Sequence, residues 1–190
     1  MDILYKSELE NITEGHVFYD FQDEAAYFNN LLSFIRTGIE TKQQILIIEN
    51  MRNLPKVKKI IDMLVSDEQQ SSILLVNNFE YYLSNGDFNT KTILNHFKQD
   101  LEQLTKVNTS VRTWAHVEWA SSEPDVELLK EFESTADSFV KESGLLSVCA
   151  YASNHLSSEL TRVLELVHEY VMSDDTLSLS PVYERSVQAT

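Results

Sequence analysis

His16, His116, Glu118 and Cys149 are the side chains whose types and placement could best support chemistry in this 190-residue chain. Imidazole nitrogens, a thiolate and carboxylates are the donors that zinc, iron and copper select. His16 opens a β-rich run, residues 16–21 (HVFYDF), and Cys149 lies in another, residues 145–151 (LLSVCAY), so the two can approach one cleft. No close H-x-x-x-H or C-x-x-C spacing fixes a metal, and a single strand cysteine is usually a small buried hydrophobe. A transition metal, if held, would use His16, His116 and Cys149; no other cofactor is indicated. Within residues 111–119 (VRTWAHVEW), the period of a strand turns Arg112, Trp114, His116 and Glu118 to one face. A buried Arg or His is costly unless paired, so this row is either a satisfied ion-pair network or the wall of a polar pocket. His168, late in a helical pattern, reads as a cation relieving the helix dipole, while His96 and His155 have no distinguishing context.

Other chemistries lack their parts. The run Glu49-Asn50-Met51-Arg52-Asn53-Leu54-Pro55 joins a β-rich segment to a helix, where an α/β protein can place a phosphate loop. It contains no glycine and no Lys-Ser/Thr pair, and Glu49 would repel an anion, so classical ATP hydrolysis is not expected. The chain has only four glycines, and neither G-x-G-x-x-G nor G-x-S-x-G occurs. Thirty acidic residues make any one carboxylate uninformative as an acid or base.

The elements that must position these groups alternate. Short apolar runs at 16–21, 44–48, 73–76, 111–119 and 145–151 read as strands covered on both faces. Between them apolar residues recur at helical spacing: Phe28, Leu31, Leu32 and Ile35, capped by Asp23 and stopped at Gly38; a helix from Asn53 and Pro55 to about Val65; then Ile93 to Leu104, Leu129 to Val140, and Leu160 to Val171. The alternation predicts an α/β three-layer sandwich with a mainly parallel central sheet of about five or more strands. The aromatic-rich residues 79–89 read either as loop anchors or as the lining of an apolar cleft, with Asn85-Gly86-Asp87 as a turn. One domain spanning 1–190 is expected, with its core at about 14–172 and a polar tail at 173–190 in which Pro181-Val182-Tyr183 could add an edge segment.

Net charge is −15, which disfavours direct binding to nucleic acid or anionic membranes. One cysteine, no leader-like start and no apolar run long enough to span a bilayer predict a cytoplasmic protein.

Several stretches in order resemble a known family: Gly15-His16-Val17-Phe18-Tyr19, Phe34-Ile35-Arg36-Thr37-Gly38-Ile39, Ile45-Leu46-Ile47-Ile48, Tyr82 to Phe88, Arg112 to Trp119, Val148-Cys149-Ala150-Tyr151, His168-Glu169 and Pro181-Val182-Tyr183. Together, over about residues 14–183, they resemble the MEDS domain, the methanogen/methylotroph sensory domain of prokaryotic signalling proteins. The resemblance implies a RecA-like fold without its phosphate loop and a non-enzymatic role sensing small hydrocarbon derivatives. It also implies a histidine-kinase or transcription-regulator partner, here acting in trans or through a homo-oligomer. His16 and Cys149 match the family's ligand or metal contacts. Tyr19, Glu49, Arg112, His116, Glu118 and Tyr151 complete the expected ligand-binding set. The chain departs from the family pattern at His116-Val117, where an acidic residue is common, and at Ala152, where an aspartate is. Those departures imply a changed ligand or a lost one. The alternatives are a degenerate RecA-like nucleotide-binding protein or ATPase, and a ligand-free interaction module.

Overall fold

β-branched and aliphatic runs with no polar face can be buried only between two helical layers, and the chain places them there. The computed structural model describes residues 8–83, 86–105, 110–120 and 124–184. A 3-10 turn at Glu8–Asn11 leads into β1 (Gly15–Phe21), α1 (Glu24–Glu40), β2 (Gln44–Glu49), α2 (Leu54–Leu64), a short α3 (Asp67–Gln70) and β3 (Ile73–Asn77). There follow α4 (Asn78–Tyr82), α5 (Thr90–Thr105), β4 (Val111–His116), α6 (Val126–Ser143), β5 (Leu146–Ala152), a 3-10 turn at Ser153–His155, α7 (Ser158–Val167), β6 (Tyr170–Met172) and β7 (Leu177–Leu179). The sheet order is β3-β2-β4-β5-β1-β6-β7, parallel except for the β6–β7 pair. The expected three-layer α/β fold is the one formed.

Strand alternation divides the core in two. Val17, Tyr19, Ile45, Ile47, Trp114, Val148 and Ala150 pack with α1, α2 and Leu9. Phe18, Leu46, Ile48, Ala115, Cys149 and Tyr151 pack with α4, α5, α6 and α7 on the other face. Leu9 is 1% exposed, and Glu10 accepts from Ser33 Oγ and Arg36, so the core begins before residue 14.

Several sequence-based boundaries are corrected. Gly38 lies inside α1, and the left-handed residue is Lys42, with φ 56°. What Gly38 supplies is space, because a Cβ there would meet Ile45 Cδ1 at 2.7 Å and Arg112 Cδ at 3.0 Å. Asn53 makes no side-chain cap, its amide being drawn to Glu49. Strand β4 ends at His116. The α7 helix ends at Val167, and Val171 belongs to β6, where a β-branched side chain between sheet neighbours overrides the helical spacing. The segment after residue 172 is docked: β7 extends the sheet ahead of Pro181, Ser180 Oγ donates to Glu165 O, and Tyr183 donates to Asp137 Oδ2 at 2.9 Å.

Candidate functional site

The sheet separates the expected site residues. Even-numbered positions of β1 and odd-numbered positions of β5 face α6 and α7, which puts His16, Cys149 and Tyr151 on that side. Tyr19, Glu49, Arg112 and His116 face α1 and α2, with Glu118 following β4. His16 and Cys149 do converge, with Nε2 3.4 Å from Sγ. His116 does not join them, so the set His16, His116 and Cys149 cannot share one ion; His116 pairs instead with Glu49 on the opposite face.

The place assigned to His116 is taken by residues to which the sequence reading gives no role. Glu133 and Asp137, one turn apart on α6, point at the His16 ring: Glu133 Oε2 is 3.5 Å from Nε2 and Asp137 Oδ1 is 3.4 Å from Nδ1. His168, expected to be a cation at a helix end, is instead fully buried and stacked on His16 with 3.9 Å between ring centroids. Burial, then the neighbouring His16, pushes its pKa well below the usual histidine range. Burial likewise raises the Cys149 thiol, with Glu133 adding to the effect, and raises the Glu133 carboxyl against the opposing pull of His16. Tyr151 donates to Glu133 Oε1. The sequence did carry a signal here: Glu133 and Asp137 fall among Leu129, Phe132, Ala136 and Val140, on the buried face of an otherwise apolar stripe.

On the opposite face Glu49, also fully buried, is the hub. It accepts from Tyr27 OH, from the Asn50 backbone N–H at 2.8 Å and from Asn53 Nδ2 at 3.3 Å, and it pairs with His116 Nδ1 at 2.6 Å. Burial lowers the His116 pKa, but the hydrogen bond and charge of Glu49 outweigh it and the net shift is upward. Arg112 has no carboxylate in reach among the described residues; it donates to Gln43 Oε1 and Phe34 O and lies over the Phe34 ring. Burial takes its pKa down to about 10. Glu118 bridges Asn50 Nδ2 at 3.2 Å and Asn78 Nδ2 at 2.7 Å, and so closes the crevice where the chain leaves β2 and β4 in opposite directions.

The junction of β1 with α1 is filled in the same manner. Asp174, from the β6–β7 turn, accepts from the backbone N–H groups of Gln22 and Asp23 at 3.1 and 3.0 Å and from Tyr19 OH at 2.8 Å. Asp23 accepts from Ala26 N. The amides that a helix N-terminus offers to a phosphate are thus held by internal carboxylates.

Open space lies elsewhere on the carboxyl edge. Leu83, Phe88, Trp119, Leu128 and Leu129 wall a cleft of about 310 Å³, with Asp87 and Asp125 also lining it. Of the aromatic-rich segment, Tyr81 and Tyr82 are buried anchors, Phe88 stacks on Tyr82 and lines the cleft, and Phe79 is exposed. The expected turn at Asn85-Gly86-Asp87 lies partly outside the described residues.

The methanogen/methylotroph, DcmR sensory domain model, MEDS, matches residues 15–169. The chain belongs to the MEDS family. No curated protein sequence matches it. Among solved structures, an ATPase domain is similar at TM-score 0.56 and 8% identity, over 98% of this chain and 79% of that one. The flagellar accessory protein FlaH from Methanocaldococcus jannaschii is similar at 0.52 and 10%, over 88% and 76%. The KaiC-like protein PH0186 from Pyrococcus horikoshii OT3 is similar at 0.50 and 14%, over 84% and 72%. These likenesses establish a RecA-like fold, on which this MEDS chain is a sensory module. No helix among the described residues is long and apolar enough to cross a membrane.

Proposed function

We propose that this MEDS domain is a non-enzymatic cytoplasmic sensor that takes a small, largely apolar organic ligand in the Trp119 cleft and reports it to a partner protein in trans. The observation that carries the reading is the filling of both strand–helix junctions by built-in carboxylates. Asp174 and Glu49 hold the amides that follow β1 and β2, so an incoming phosphate would meet negative charge where it needs donors. The cleft offers the reverse chemistry, apolar walls with a few polar groups beside them. Trp119 also packs on the interior, its ring centroid 6.1 Å from that of Tyr151, whose hydroxyl donates to Glu133. It signals only if it binds two states of the domain with different affinity. The acid excess favours a protein partner over nucleic acid.

A thermal-shift panel of small alcohols, amines, acids and chlorinated hydrocarbons tests this. At least one class is expected to raise the melting temperature of the wild type. Trp119→Ala is expected to weaken its binding about 10-fold or more, equivalent to ~1.4 kcal/mol. Magnesium and ATP are expected to have no effect. A panel without hits, or hits indifferent to Trp119→Ala, would overturn the assignment.

A further inference from the structure

We propose that His16, Glu133, Cys149 and His168 are the ligands of a buried site for a divalent transition metal of the zinc class. Each offers one donor atom, and the four atoms lie within 4.8 Å of one another. Bonds of about 2.0–2.3 Å at tetrahedral angles place neighbouring donors about 3.3–3.8 Å apart. Three of the six separations match those edges: 3.4 Å from His16 Nε2 to Cys149 Sγ, 3.5 Å from His16 Nε2 to Glu133 Oε2, and 3.5 Å from His168 Nε2 to Glu133 Oε2.

Hydrogen bonding alone does not account for the cluster. His168 Nδ1 is 2.8 Å from the Leu164 carbonyl, which can only accept, so Nδ1 is engaged there and Nε2 is the ring atom left for an ion. That atom faces Glu133 Oε2. Both atoms are buried, and neither has a hydrogen-bond partner among the described residues. The 3.5 Å gap is too long for a good hydrogen bond between them. A cation between them converts both into ligands.

Charge and support agree with a metal. Thiolate and carboxylate together cancel a divalent charge, so a loaded site adds no net charge to the core. Tyr151 occupies Glu133 Oε1 and leaves Oε2 for the ion, and Leu164 O holds His168 Nδ1. Outer partners of this kind orient and strengthen ligands. The imidazoles are stacked at 28°, so aiming both Nε2 lone pairs at one ion requires a χ2 rotation that opens the stack. The ligands come from β1, α6, β5 and the end of α7, and an ion would join these elements across one face of the sheet. This proposal stands apart from the cleft, and either can fail without the other.

Cobalt(II) titration of the metal-stripped full chain is the test. One equivalent is expected to bind, with the intense visible bands of tetrahedral cobalt and a sulfur-to-cobalt charge-transfer band in the near ultraviolet, both erased by zinc. Cys149→Ser is expected to lose the charge-transfer band, and Glu133→Gln to weaken binding about 10-fold or more. His96→Gln is expected to change nothing. Circular dichroism of each variant separates loss of the site from loss of the fold, and the wild-type spectrum decides regardless of the variants. Absence of stoichiometric binding, a pale octahedral spectrum from surface carboxylates, or a charge-transfer band that survives in folded Cys149→Ser would overturn the proposal.

Discussion

Replacing Glu49 with alanine is expected to cost about 3–5 kcal/mol of stability, the range for removing one member of a buried charged pair. The substitution strips an acceptor from four donors at once: Tyr27 OH, the Asn50 N–H, Asn53 Nδ2 and His116 Nδ1. Tyr27 also accepts from Trp114 Nε1 at 2.9 Å, so the loss spreads into the largest fully buried side chain of the core. Glu49→Gln keeps the shape and removes the charge, and should cost less. The pH dependence distinguishes the two contributions. His116 has its folded pKa raised by Glu49 against the effect of burial. The stabilisation from the pair is therefore complete below the unfolded histidine value of about 6.5 and is lost as pH rises through the elevated folded value. Urea unfolding across that window should show wild type losing stability relative to Glu49→Gln as pH increases. A Glu49→Ala cost below about 1 kcal/mol, the scale of an exposed pair, would mean that this carboxylate is not the hub of the network.

Asp174→Ala is expected to cost about 2–3 kcal/mol and to create an anion site that the wild type lacks. Hydrogen bonds to a charged acceptor contribute about 1.5–3 kcal/mol, and Asp174 receives three, a part-buried one from Tyr19 OH and exposed ones from Gln22 N and Asp23 N, whose exposure keeps the total at the scale of one such bond. Tyr19 keeps its bond from Asn30 Nδ2, which limits the damage on that side. The two freed backbone amides then point at an empty position beside the N-terminus of α1, where the helix dipole favours negative charge. Inorganic phosphate or sulfate should accordingly restore part of the lost stability in Asp174→Ala and do little for the wild type. Equal anion effects on both proteins would show that Asp174 does not occupy an anion position.

The framework is legible in the sequence because burial on two faces leaves a plain trace. Runs such as Ile45-Leu46-Ile47-Ile48 have no polar face, and the helices between them keep their spacing, so the sandwich follows from pattern. Pattern misleads where tertiary contact outweighs local preference. Gly38 reads as a stop signal but is kept for the approach of Ile45 and Arg112, and Val171 continues a helical stripe but joins the sheet beside Phe18. The candidate site is half legible. His16 and Cys149 lie on adjacent strands in nearby register, His16 opposite Ser147 and Phe18 opposite Cys149, and strand pairing brings them together. His116 reads as their companion because sequence gives the alternation within a strand and not the face that each strand turns toward each layer. Glu133 is marked only by its place on the apolar stripe of α6, which shows that it is buried and not what it meets, and His168 carries no mark because its burial depends on how the end of α7 docks. Asp174 is hidden for the same reason, since its partners at Gln22 and Asp23 lie more than 150 residues away.

Two tryptophans report separately on whether this RecA-like frame receives a small apolar ligand at its carboxyl edge in place of a nucleotide. Trp114 is fully buried against Tyr27, and Trp119 borders the cleft. In a nitrogen–proton correlation spectrum of the full chain, each indole gives its own signal. Titration with the small organic compounds identified by thermal shift should move the Trp119 signal in a saturable manner and leave Trp114 in place, while magnesium and ATP should move neither signal nor the amides of residues 22–26 and 50–54. Saturable shifts of those amides by ATP, with the Trp119 signal unmoved by every organic compound, would contradict the account.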